Sequence, residues 1–141
     1  MALAARLDGK SYRTYVLLGD GEIQEGQIWE AAMFASYHKV DNLAAIVDYN
    51  KIQLDGFVKD IMDLEPLADK WRSWDVHVTD GHDIPSLRYA FTAAQRTKGK
   101  PTVIIANTVK GKGVSFMENQ PKFHGVAPTP EEVEIALKEL A

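Results

Sequence analysis

An α/β fold with a doubly wound, mainly parallel sheet is the architecture that three observations predict. Short apolar runs suited to strands recur at Tyr12–Leu18, Leu43–Tyr49, Val76–Val78 and Thr102–Asn107. Segments with helical spacing separate them, so strand and helix alternate as they do when right-handed crossovers join parallel strands. The run at Leu43–Tyr49 does not alternate apolar with polar residues, which suits a strand covered on both faces. With 141 residues, 45% hydrophobic and 26% charged, the sequence has the size and composition of one globular core. A single domain over residues 1–141 is expected.

The elements follow in order. Met1 to Lys10 reads as the last turns of a helix. Tyr12–Leu18 is a strand because Tyr, Val and Leu fill it, and Gly19-Asp20-Gly21 ends it in a tight turn. Glu25–Lys39 carries Ile28, Ala31, Ala32 and Ala35 at helical spacing, a small-residue face able to pack closely on a sheet. Leu43–Tyr49 is the second strand, followed by a loop through Asp55-Gly56. Leu64, Leu67, Ala68 and Trp71 predict a helix over Met62–Trp74, with Pro66 in its first turn. Val76–Val78 is a short strand. Asp83 caps a helix in which Pro85 sits early and Leu87, Ala90, Phe91 and Ala94 form the buried stripe. Thr102–Asn107, the most β-branched segment, is read as a central strand. Lys110 to Gly125 is a long glycine-containing loop, and Thr129 caps a last helix with Glu131 and Glu132 in its first turn.

Charge and composition remove several classes of function. The net charge is -4, with 16 basic and 20 acidic residues interspersed, which leaves no electrostatic footprint for nucleic acid. No cysteine is present, so disulfides, thiolate zinc sites and a cysteine nucleophile drop out. No apolar run approaches the roughly 20 residues of a membrane span. Met1–Leu7 lacks the basic start and cleavage pattern of a signal peptide, and the cytoplasm is the expected location.

The chemistry gathers where strands end, since ligands of such sheets bind at the carboxyl ends of the strands. Asp20 follows the first predicted strand and Asn50 the second, giving a carboxylate and an amide oxygen at neighbouring ends. Magnesium favours oxygen ligands, takes one or two carboxylates and leaves other positions to phosphate and water. Gly19 and Gly21 flank the carboxylate, where main-chain N–H groups can face phosphate oxygens.

Gly19-Asp20-Gly21 followed by Asn50, 50 − 20 = 30 positions downstream, resembles the thiamine-diphosphate signature. The stretches around it, Glu22, Glu25-Gly26, Trp29-Glu30-Ala31, Asp41-Asn42-Leu43, Asp48-Tyr49-Asn50-Lys51-Ile52 and Asp55-Gly56, resemble transketolases over nearly the whole chain. The resemblance implies a thiamine-diphosphate-binding fold cut short on its N-terminal side, with the helix at residues 1–10 beginning upstream. It implies Mg2+ and thiamine diphosphate as cofactors, with Asp20 and Asn50 as side-chain metal ligands and Ile52 a ligand through its carbonyl. Gly19, Gly21 and Glu22 would form the diphosphate-facing turn. His124, in Phe123-His124-Gly125, matches the family histidine that reaches the diphosphate and the donor substrate. Glu25 and Glu30 match acidic residues of a network between active sites at the subunit interface; on their own they read equally well as a helix-start charge and a solvated face.

The implied activity is transfer of a two-carbon ketol unit between sugar phosphates, as in the pentose phosphate pathway. It needs a pyrimidine-domain subunit, in a dimer or heterotetramer, and the chain alone is expected to be inactive. A catalytically inactive remnant of the same fold stays open, as do two enzymes sharing the signature, a deoxyxylulose-phosphate synthase and the α-subunit of a 2-oxo-acid dehydrogenase. Asp48-Tyr49-Asn50-Lys51 with Lys122-Phe123-His124-Gly125 favours transketolase.

Overall fold

A computed structural model describes all residues from Met1 to Ala141. Helix α1 (Ala2–Leu7) precedes β1 (Thr14–Gly19), and a 3-10 turn at Glu22–Gln24 leads into α2 (Gly26–Tyr37). Strand β2 (Leu43–Tyr49) is followed by a two-stranded hairpin, β3 (Ile52–Gln53) and β4 (Gly56–Phe57), and by the single turns α3 (Val58–Ile61) and α4 (Leu67–Lys70). Then come β5 (Asp75–Asp80), α5 (Ile84–Arg96), β6 (Thr102–Asn107), a 3-10 turn at Pro121–His124 and α6 (Pro130–Glu139). Asp83 and Thr129 cap α5 and α6 as read from the sequence, Asp83 accepting from the Ser86 N–H and Thr129 forming a capping box with Glu132.

The main sheet has four strands, all parallel, in the order β1-β2-β6-β5. The step from β1 to β2 and the step from β5 to β6 run in opposite directions across it. Crossovers of one hand therefore put α2 and α5 on opposite faces, the doubly wound arrangement. On the α2 face, Leu18, Val47 and Ile105 stand in register and pack with Ala32, Ala35, Trp71 and Trp74 into the main core. On the α5 face, Tyr15 meets Phe91 edge-on with ring centroids 5.9 Å apart. β6 lies inside the sheet, buried from Thr102 to Ala106, as its β-branched composition predicts.

Sequence and structure differ most between residues 50 and 74. The helix expected over Met62–Trp74 is reduced to α4, because Pro66 has no N–H to give and bars Glu65 from helical backbone. Leu64, Leu67 and Trp71 are nevertheless buried, so their spacing recorded contact with the core rather than a continuous helix. The segment around Asp55-Gly56, expected as plain loop, is the turn of the β3–β4 hairpin. No helix is long and apolar enough to cross a membrane.

Candidate functional site

Asp20 sits one residue past the end of β1 and is only 1% exposed. Because Gly19 of β1 lies in register with Asp48 of β2, the turns that follow the two strands are neighbours. The chain then doubles back at Lys51, whose φ of 68° lies in the left-handed region that a non-glycine residue seldom adopts. This bend aims the Lys51 N–H at Asp20 Oδ2 and the Ile52 N–H at Asn50 Oδ1, 3.0 Å away. The second contact is an Asx-type turn, a side chain accepting from the backbone two residues on. Asp20 Oδ1 accepts from the Gly21 N–H at 2.7 Å. The Asp20 carboxylate thus meets the backbone of the Asn50–Lys51–Ile52 bend at the tips of adjacent strands.

Burial raises the Asp20 carboxyl above its ordinary pKa, against the Lys51 and Gly21 N–H groups, which favour the anion. The Asp48 charge adds to the rise and the His124 imidazole opposes it. A buried acid beside a second carboxylate is a place where a cation relieves electrostatic cost. No group of three His, Cys, Asp or Glu side chains is placed to hold a metal. The side-chain donors that remain are the Asp20 carboxylate and the Asn50 amide oxygen, both hard oxygens, with main-chain carbonyls of the two turns beside them. Such a set fits a magnesium-like ion whose remaining ligands come from an oxyanion and water. Gly21 is packed closely by the hairpin, since a Cβ there would stand 2.7 Å from Gln53 Cβ.

The remaining residues singled out by sequence fall into two groups. Glu22 closes the same turn, accepting from the Gly19 N–H at 3.0 Å. His124 is exposed on the 3-10 turn Pro121–His124 and lies near enough to Asp20 to influence its ionisation. Ile52 is buried, leaving only its main chain for the site. Glu25 and Glu30 stand apart on the exposed N-cap and first turns of α2, and neither side chain makes a hydrogen bond or ion pair. Trp29 is a packing residue, its Nε1 donating to the Ile23 carbonyl at 2.7 Å and its ring lying against Trp71. Apart from these residues, His82 accepts from the Val109 N–H at 2.7 Å and so joins the turns after β5 and β6.

Sequence reasoning assigned no part to Thr108 and used Asp48 only as a member of a motif. Yet Asp48 Oδ1 accepts from the Thr108 hydroxyl, and its Oδ2 accepts from Asn50 Nδ2 at 3.1 Å. The available signal was an acidic residue in an otherwise apolar strand, since a charge there calls for a partner.

Residues 7–141 match the family described as "Transketolase, thiamine diphosphate binding domain". The 6-deoxy-6-sulfo-D-fructose transketolase subunit of Clostridium sp. (strain MSTE9) is 47% identical over 99% of this chain and 52% of its own length. An apulose-4-phosphate transketolase subunit of Actinobacillus succinogenes is 48% identical over 99% of this chain and 51% of its own. The chain thus spans about half the length of these curated relatives. The crystal structure of transketolase from Campylobacter jejuni superposes with a TM-score of 0.89 at 31% identity, covering 98% of this chain and 22% of that one. The strand-end site and the family match coincide in one segment, and the chain belongs to the transketolase thiamine-diphosphate-binding domain family.

Proposed function

We propose that the chain holds the diphosphate of thiamine diphosphate through Mg2+ as part of a transketolase-type enzyme. With a pyrimidine-domain subunit, in a dimer or heterotetramer, it serves the transfer of a two-carbon ketol unit between sugar phosphates. The observation that carries this reading is the meeting of the Asp20 carboxylate with the Asn50–Lys51–Ile52 bend at the tips of β1 and β2. The relatives' names support a phosphorylated or sulfonated ketose as substrate, a sugar with an anionic end.

In this reading Asp20 and Asn50 bind the metal through their side chains and Ile52 through its carbonyl. Gly19, Gly21 and Glu22 shape the turn facing the diphosphate. The Gly21 N–H, now donating to Asp20, becomes free for a phosphate oxygen once a cation takes over that carboxylate. His124 supplies a donor from the opposite loop, and Glu25 and Glu30 face a partner subunit from α2. When bound, the cofactor supplies the carbanion chemistry, and the chain's contribution is to anchor and orient.

Calorimetry tests this directly. Thiamine diphosphate is expected to bind with Mg2+ and not with EDTA, most tightly when a pyrimidine-domain subunit is added, and Asp20→Ala is expected to abolish the heat. Equal binding with and without Mg2+, or none with the partner present, rules the reading out. Ketol transfer by the purified chain alone would overturn the need for a partner.

A further inference from the structure

The side chain of Asn50 is held from two sides, and only one of its holders belongs to the segment that the site uses. The Ile52 N–H donates to Oδ1 at 3.0 Å, while Nδ2 donates to Asp48 Oδ2 at 3.1 Å. Asp48 is in turn fixed by the Thr108 hydroxyl on its other oxygen. Thr108 follows β6, the strand next to β2, where Asp48 stands in register with Ala106. Its own N–H donates to the Tyr49 carbonyl at 3.3 Å, so the relay runs between two interior strands.

An asparagine amide has two nearly isosteric ends with opposite chemistry, one accepting and one donating. A carboxylate only accepts, so Asp48 can be satisfied only by the NH2 end of Asn50. With the amide reversed, two oxygens would face each other at Asp48 and two donors would face each other at Ile52. Both neighbours reject that state. The allowed orientation leaves Oδ1 with one lone pair on the Ile52 N–H and one free.

We propose that Asp48, itself aligned by Thr108, is a positioning residue that fixes the Asn50 amide so that its oxygen, not its nitrogen, meets a divalent cation. This rests on the metal role given to Asn50 above. Asp48 makes no metal contact in this scheme; it sets which atom of Asn50 does. Outer partners of metal ligands commonly change metal affinity about 10- to 100-fold when removed.

The experiment uses this chain in four forms: the parent, Thr108→Val, Thr108→Ser and Asp48→Ala, with circular dichroism to check folding. The first readout needs no ligand. In 15N-labelled protein the Asn50 side-chain NH2 protons are expected to exchange slowly in the parent and in Thr108→Ser. They should exchange several-fold faster in Thr108→Val and fastest in Asp48→Ala. The second readout is the Mg2+ concentration required for thiamine diphosphate binding, with the pyrimidine-domain subunit present. It should rise about tenfold in Thr108→Val and up to about a hundredfold in Asp48→Ala, with Thr108→Ser close to the parent. Thr108→Val is nearly isosteric, so it tests the relay even if Asp48→Ala does not fold. An unprotected Asn50 amide in the parent overturns the proposal, as does an unchanged Mg2+ requirement in folded variants. If Asp20→Ala abolishes binding while the Asp48 and Thr108 variants bind as the parent does, the inference alone fails. If the parent shows no Mg2+-dependent binding, the site and the inference fall together.

Discussion

At the scale of single residues, the turn after β1 depends on what Gly21 lacks. An added Cβ would stand 2.7 Å from Gln53 Cβ and 3.0 Å from its Oε1, so the β3 hairpin would have to move. Gly21→Ala is expected to cost about 1–3 kcal/mol by overpacking, read from urea unfolding, and to weaken cofactor binding beyond that loss. The sequence reading put Asp20 and Asn50 at neighbouring strand ends, and the register of β1 with β2 agrees. It did not reveal the bend that turns the backbone after Asn50 onto Asp20. That depends on the left-handed backbone of Lys51, which a lysine code letter does not announce. Nor did it point to Thr108, which is 60 positions from Asp48 and adjacent only because β2 and β6 pair.

At the scale of elements, the aromatic cluster under α2 replaces the helix that the sequence led us to expect. Trp71 lies between Trp29 and Trp74, at 5.0 and 5.1 Å between centroids, and is 1% exposed. Trp74 Nε1 donates to the Ala32 carbonyl, whereas Trp71 Nε1 is buried without a partner. Trp71→Ala is therefore expected to cost about 3–5 kcal/mol, and Trp71→Phe clearly less, since no hydrogen bond is given up; chemical denaturation separates the two. The long elements were readable from their own residues: α5 from its Asp83 cap and apolar stripe, α2 from its small-residue face, and β2 and β6 from their apolar, β-branched runs. The stretch from Asn50 to Trp74 was not, since its short pieces take their shape from Pro66 and from the core they line.

On the far side of the sheet, the start of β5 is tied to the end of α5. Asp75 accepts from Thr97 Oγ1 at 2.5 Å, pairs with His77 Nε2 at 2.9 Å and lies 3.4 Å from Lys100 Nζ. Burial pushes the Asp75 carboxyl up, but these partners together outweigh it and hold the group below the usual carboxylate range. A carboxyl whose folded pKa is depressed stabilises the fold above its unfolded pKa of about 3.9, and that contribution fades as pH falls through the lower folded value. Asp75→Asn should then be less stable than the parent at about pH 5, with the margin narrowing below about pH 4. Thermal melts across that range check it, and a margin that widens on acidification would contradict the assignment.

At the scale of the whole molecule, the two winding directions meet between β2 and β6, and Asp48, Asn50 and Thr108 border that junction. Open α/β sheets bind ligands beyond the carboxyl ends of their strands, which is why fold class alone pointed the sequence reading to this edge. The strand order was beyond the sequence, since apolar runs identify strands but not their neighbours. β1 proves to be a border strand, hydrogen-bonded on one flank only, with Leu17 72% exposed. A metal shared by Asp20 and Asn50 would act as a rivet, fastening that outlying ribbon to an interior one that needs no help. Occupancy should then be visible in hydrogen exchange as slowed amides in β1 and almost no change in β6, so that a border strand becomes the reporter of what its tip has captured.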